Sequence, residues 1–148
     1  RIKAYVGQMP APKTYDEAAA TLKAIMAGSF PAFGDADWSR LARRTFVEKN
    51  GLLAADHDPA LTASLEALSP DKPLPPLWPF FDGLKDVPLL AIRGELSDIL
   101  SAETLAAMAA RRPDMETLTV PGQGHAPMLW EEEVIARIAG FARRADGG

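Results

Sequence analysis

The chain contains no cysteine, which excludes disulfides, thiol nucleophiles and thiolate metal sites together. That absence is compatible with the cytoplasm, the compartment expected for this chain. No apolar run approaches the roughly 18 residues that a membrane span needs, and no signal-like stretch opens the sequence. Basic runs and basic amphipathic stretches are missing as well. With a formal net charge of −4, no basic face is available for nucleic-acid phosphates or an anionic membrane surface. Neither nucleic acid nor membrane is expected as a partner. Histidine is scarce too. His57 stands between Asp56 and Asp58 with no second histidine at ligand spacing, so a solvated surface cluster is expected there and not a metal site. No metal or cofactor is implied. The sequence opens Arg1-Ile-Lys-Ala-Tyr-Val-Gly and reads as one entered midway.

What is present suits a globular domain. At 148 residues, 47% hydrophobic and 24% charged, the chain can bury a real core. Residues 1–69 read as mostly helical. Thr14 and Glu17 make a capping-box pattern, and Tyr15, Ala19, Leu22 and Met26 recur at helical spacing until Gly28, which is placed to end the helix. Asp35 can cap a second helix with Trp38, Leu41, Ala42 and Thr45 on one face. Asn50-Gly51, between Thr45-Phe46-Val47 and Leu52-Leu53, predicts a type I′ turn in a short two-stranded ribbon. Pro70, Pro73, Pro75, Pro76 and Pro79 then crowd one stretch. No regular helix or central strand tolerates that density, so the join between two regions is placed there.

Residues 70–148 have a different rhythm. Trp78, Phe80, Phe81 and Leu84 suggest a short apolar helix, and 87–92 is a continuous apolar run closed by Gly94. Such a run suits a parallel strand buried on both faces. Ser101 can cap a helix through Leu105, Met108 and Ala109, stopped by Arg111-Arg112-Pro113. A second strand is expected over 115–120, then a final amphipathic helix carrying Val134, Ile135, Ile138 and Phe141. Strand, helix, strand, helix is a βαβ unit with a closing helix, half of a doubly wound α/β domain. Two parallel strands alone leave edges unpaired and apolar faces uncovered.

Asp98 follows the first strand in Arg93-Gly94-Glu95-Leu96-Ser97-Asp98, and His125 follows the second in Gly122-Gln123-Gly124-His125-Ala126-Pro127. Both loops would fall at the carboxyl edge of the sheet, where open α/β sheets place their sites. Neighbouring strands run about 4.8 Å apart, so a carboxylate on one loop can reach an imidazole on the next. That pairing fixes a histidine tautomer and stabilises its charge when it takes a proton. A lone loop histidine is more often held by a backbone carbonyl; strand, glycines and a matched acid together shift the balance toward catalysis. Glu95 is the main rival of Asp98 for the acid role, and helix capping is the plainer use of either carboxylate. The Trp38 and Met26 stripes and the acidic first turns at Asp16-Glu17 and Glu131–Glu133 are packing and helix-dipole features.

Residues 77–143 resemble the C-terminal segment of the α/β-hydrolase superfamily, especially bacterial meta-cleavage-product, lactone and ester hydrolases. The carrying motifs are Arg-Gly-Glu-Leu-Ser-Asp (93–98) and Gly-His-Ala-Pro-Met-Leu (124–129). The resemblance implies that Asp98 orients His125, that His125 activates a serine and later a water, and that residues 1–69 form a helical lid. It implies a small ester-like substrate. It departs from the family at Trp130, where relatives commonly have an acidic residue, and more seriously at the nucleophile. No Gly-x-Ser-x-Gly occurs among the six serines, and Ser97 lies in the acid loop, not at a strand-to-helix elbow. Family order puts both nucleophile and oxyanion hole upstream of Arg1. The chain by itself is therefore expected to be inactive. It is also expected to need the N-terminal part of its own polypeptide, or self-association, to cover its sheet. Two alternatives stand beside this reading: a non-catalytic binding module of the same fold, and a dehalogenase or epoxide hydrolase with an upstream aspartate nucleophile.

Overall fold

The computed structural model describes residues 12–58, 60 and 75–147. Pro70 and Pro73, and with them most of the expected join, lie outside the described residues. Of the described residues, those up to Gly28 and from Ala32 to Pro75 form one compact unit. Ser29–Pro31 and those from Pro76 onward form the other.

The first unit begins with α1, Tyr15–Met26. Thr14 Oγ1 accepts from Glu17 N at 3.2 Å, as the capping pattern predicts, while the Glu17 carboxylate reaches back one residue further, to Lys13 N at 2.8 Å. The first contact occupies a donor that a helix start would otherwise leave orphaned, and the second ties down the residue before the cap. Helix α2 spans Asp35–Thr45 and packs on α1. Its N-cap is Gly34, whose amide donates to Asp37 Oδ2 at 2.9 Å, and not Asp35 as the sequence suggests. Asp35 is the first helical residue and instead pairs with Lys23 Nζ at 2.8 Å. Ala18, Leu22, Trp38, Leu41 and Ala42 are buried, the stripe that the 3.6-residue period sets on facing sides of two helices. Strands β1, Phe46–Lys49, and β2, Leu52–Ala55, pair antiparallel. Asn50 and Gly51 both take positive φ, 55° and 75°, which is the type I′ turn expected of Asn-Gly.

The second unit contains α3, Trp78–Asp82; β3, Leu90–Gly94; α4, Ala102–Arg111; β4, Glu116–Val120; and α5, Glu132–Ala145. Strands β3 and β4 are parallel neighbours in the register Leu90↔Glu116 to Gly94↔Val120, with α4 between them in sequence. Ser101 Oγ caps α4 by accepting from Thr104 N at 3.1 Å. Strand β3 starts later than the apolar run does. Pro88 has no N–H to give a ladder, and the carbonyls of Leu84 and Val87 are taken by the Arg112 guanidinium. Arg112 is only 5% exposed and also donates to both oxygens of Asp114, at 2.9 and 2.6 Å. Its hydrogen bond holds the Asp114 carboxyl below the usual carboxylate range. On β4, Glu116 gathers Arg144 and Arg137 of α5, each at 2.7 Å. The Arg144 hydrogen bond, with the charge of both arginines, lowers its pKa.

Burial differs from expectation on the sheet. Leu90 to Arg93 are half-buried, and Thr117 and Thr119 are exposed. Side chains alternate across a sheet, and the described residues give these strands partial cover instead of burial on both faces. No helix among the described residues is long and apolar enough to cross a membrane.

Candidate active site

Gly94 and Val120, the last residues of β3 and β4, are register partners. The strands therefore end level, and the loops bearing Asp98 and His125 leave the same carboxyl edge. Three hydrogen bonds lace those loops together. Glu95 N donates to Val120 O at 2.9 Å, and Leu96 N donates to Gln123 O at 2.8 Å. Gly122 N donates to Glu95 Oε2 at 2.8 Å. A side chain at Gly94 would overlap the carbonyl oxygens of Gln123 and Gly124, so this close approach requires glycine.

The acid loop is wound tightly on itself. Ser97 N donates to Gly94 O at 3.0 Å, and Ser97 Oγ accepts from Ile99 N at 3.3 Å and Leu100 N at 3.0 Å. Arg93 closes the loop from the strand: Nε donates to Leu100 O and Nη2 to Glu95 O, both at 2.8 Å. Asp98 sits exposed within that wrapped segment. Ser97, buried and with its oxygen occupied by two amides, is built as a loop former and not as a nucleophile.

The histidine loop is held from below. His125 is exposed, while Gln123 and Gly124 beside it are buried. Gln123 Oε1 accepts from Met128 N at 2.8 Å, and its Nε2 donates to Glu131 Oε1. Gly124 is pressed by the Ser29–Pro31 segment: a Cβ there would lie 2.6 Å from Ser29 Cβ. His57 lies exposed just beyond β2, and among the described residues no group of three His, Asp or Glu side chains is placed to hold a metal.

The two residues predicted from the sequence, Asp98 and His125, thus lie on adjacent, mutually bonded loops at one sheet edge. Glu95, the rival acid, spends a carboxylate oxygen on Gly122 N. The bridging by Glu95, Arg93 and Gln123 was not foreseen. A glutamine between two glycines carries no sequence signal of burial, and only the fold shows where its amide goes. Chemically, the edge offers a carboxylate and an accessible imidazole, the parts of an acid–base pair.

No family model matches the chain. It is similar to a 3-hydroxybutyrate-oligomer hydrolase of Cupriavidus necator, with 32% identity over 143 residues that cover 92% of this chain and 48% of that protein. Among solved structures it resembles an alpha/beta hydrolase from Novosphingobium aromaticivorans at 41% identity and a TM-score of 0.82, over 97% of this chain and 50% of that one. The fold also matches an E-2-(acetamidomethylene)succinate hydrolase, with a TM-score of 0.66 and 23% identity over 95% of this chain and 50% of that one. The chain spans about half the length of each of these proteins.

Proposed function

Because the chain belongs to the α/β-hydrolase superfamily, we propose that it supplies the acid and the base of a Ser-His-Asp triad, Asp98 and His125, to an ester hydrolase. In this reading the serine and the oxyanion hole are supplied by a segment that precedes these strands, as the family order of nucleophile, acid and histidine requires. The observation that carries the reading is the level ending of β3 and β4, which delivers both loops to one edge, bonded through Leu96 N and Gln123 O.

In the proposed cycle His125 takes the serine proton as the serine oxygen attacks the ester carbonyl. It then gives that proton to the departing alcohol, leaving an acyl-enzyme. A water follows the same path. His125 takes its proton as it adds to the acyl carbon, and returns it to the serine as the acid product leaves. Asp98 orients the imidazole and stabilises its positive charge in both halves of the cycle. Residues 1–69 serve as the lid. The relative from Cupriavidus makes esters of short 3-hydroxy acids the first substrates to try.

The test uses this chain joined to an N-terminal hydrolase half bearing Gly-x-Ser-x-Gly. His125→Ala should remove nearly all turnover of a p-nitrophenyl ester, and Asp98→Asn should cost on the order of 10⁴-fold, by analogy with the serine-protease aspartate. Near-parental activity of Asp98→Asn, together with inactivity of Glu95→Gln, would transfer the acid role to Glu95.

A further inference from the structure

Gln123 is a buried polar residue, 5% exposed, two positions before His125, and every polar group shown for it points to a different part of the site. Its backbone oxygen accepts from Leu96 N of the acid loop at 2.8 Å. Its side-chain oxygen accepts from Met128 N, the far end of the histidine loop, at 2.8 Å. Its side-chain nitrogen donates to the carboxylate of Glu131, the residue at the N-cap of α5. His125 therefore sits on a short loop closed into a ring by one amide, and that ring is anchored to a helix on one side and to the acid loop on the other.

From this we infer that Gln123 is the positioning residue of the histidine loop, setting the reach of His125 without touching the reacting atoms. The inference rests on His125 being the base, as proposed above. Opposite a carboxylate at 131, only a side chain with one acceptor and one donor fits. Methionine, of similar shape, would leave Met128 N and the Glu131 carboxylate without these partners at a part-buried position. Glutamate would set two carboxylates against each other. A displacement of even 1 Å in a catalytic group can cost about 10²-fold in rate, so the loop need not unfold for the effect to be large.

The arrangement permits a swap. Glutamate at 123 can accept from Met128 N with one oxygen while its other oxygen accepts from an amide at 131. The double variant Gln123→Glu/Glu131→Gln thus retains both hydrogen bonds with the polarity of the second reversed. In the joined polypeptide, Gln123→Met and Gln123→Glu should each lower kcat by roughly 10- to 100-fold. KM should move by less than about threefold, since transition-state geometry and not substrate binding is lost. The double variant should recover most of that loss; kcat is taken per folded molecule, counted by active-site titration, so a loss that reflected stability alone would vanish in that count. The inference is overturned if Gln123→Met keeps the parental kcat while His125→Ala abolishes it, or if the double variant is no better than Gln123→Glu. Should Gln123→Met fail to fold, the swap decides alone. Retained activity in His125→Ala would instead defeat the triad reading itself.

Discussion

The two units of this chain manage their apolar residues in opposite ways. Among the described residues, eight buried hydrophobic residues fall in the first unit, Ala18, Ala19, Leu22, Trp38, Leu41, Ala42, Phe46 and Leu53, against five in the second. Large exposed hydrophobics run the other way, with Ile25 and Leu52 in the first and eight in the second, among them Phe80 at 75% exposure. The first unit is built from local pieces, two capped helices and a hairpin, whose periodicity closes on neighbouring elements. In the second, care has gone into polar wiring at one sheet edge while Leu96, Ile99 and Leu129 near that edge stay exposed. A closed core marks a part that holds its own shape. Open apolar faces around bonded loops are what the proposed joining to a further hydrolase segment would cover.

The largest expected effect concerns that open surface. Uncovered apolar area costs roughly 25 cal/mol per Å², so the 148-residue chain alone should bind an apolar dye, self-associate and hydrolyse no p-nitrophenyl ester. Joining an N-terminal hydrolase half should reverse all three. A monodisperse monomer with cooperative unfolding and no dye binding, seen by light scattering and thermal melting, would erase the contrast between the units. Next comes the closed core. Trp38 is 2% exposed and meets Phe33 edge-on at 5.2 Å, so Trp38→Ala should cost about 3–5 kcal/mol in denaturant unfolding. Measured in the joined polypeptide, that loss should leave kcat of the remaining folded protein within about threefold of the parent.

Arginines sharpen the comparison inside the second unit. Arg112→Met should lower the melting temperature by several degrees, because the Leu84 and Val87 carbonyls and Asp114 lose their donor. Arg111→Met, at a half-exposed pair with Asp82, should shift it far less. Equal shifts would show that the buried guanidinium is not what fixes the entry to β3. The smallest effect is a pH dependence. Asp114 and Glu116 have carboxyl pKa values lowered in the fold, through Arg112 and through Arg144 respectively. A lowered folded pKa gives stability that is full above the unfolded value and is lost as pH falls through the folded one. Melting temperature should therefore decline below about pH 4, and Glu116→Gln should flatten that decline. An unchanged slope in the variant would assign the acid sensitivity elsewhere.

Much of this molecule follows from local pattern. Thr14, Ser101, Asn50-Gly51 and the apolar spacing of Leu22, Trp38 and Leu105 act through neighbours a few residues away, so they foretold α1, the start of α4, the hairpin turn and the buried faces. The placing of Asp98 and His125 after two successive strands was legible for a similar reason: parallel strands joined by a helix send both following loops to one edge. Elsewhere the structure departed from the local expectation. Gly34 and not Asp35 caps α2, its amide met by Asp37 three residues on, and β3 starts only after the Val87 carbonyl is taken by Arg112, 25 residues further along the chain. The support of the site was decided only by tertiary structure. Glu95 meeting Gly122, and Gln123 meeting Met128 and Glu131, depend on where two loops come to lie once the strands pair. Hydrogen bonds between side chain and backbone across loops have no period, and a sequence announces only what repeats.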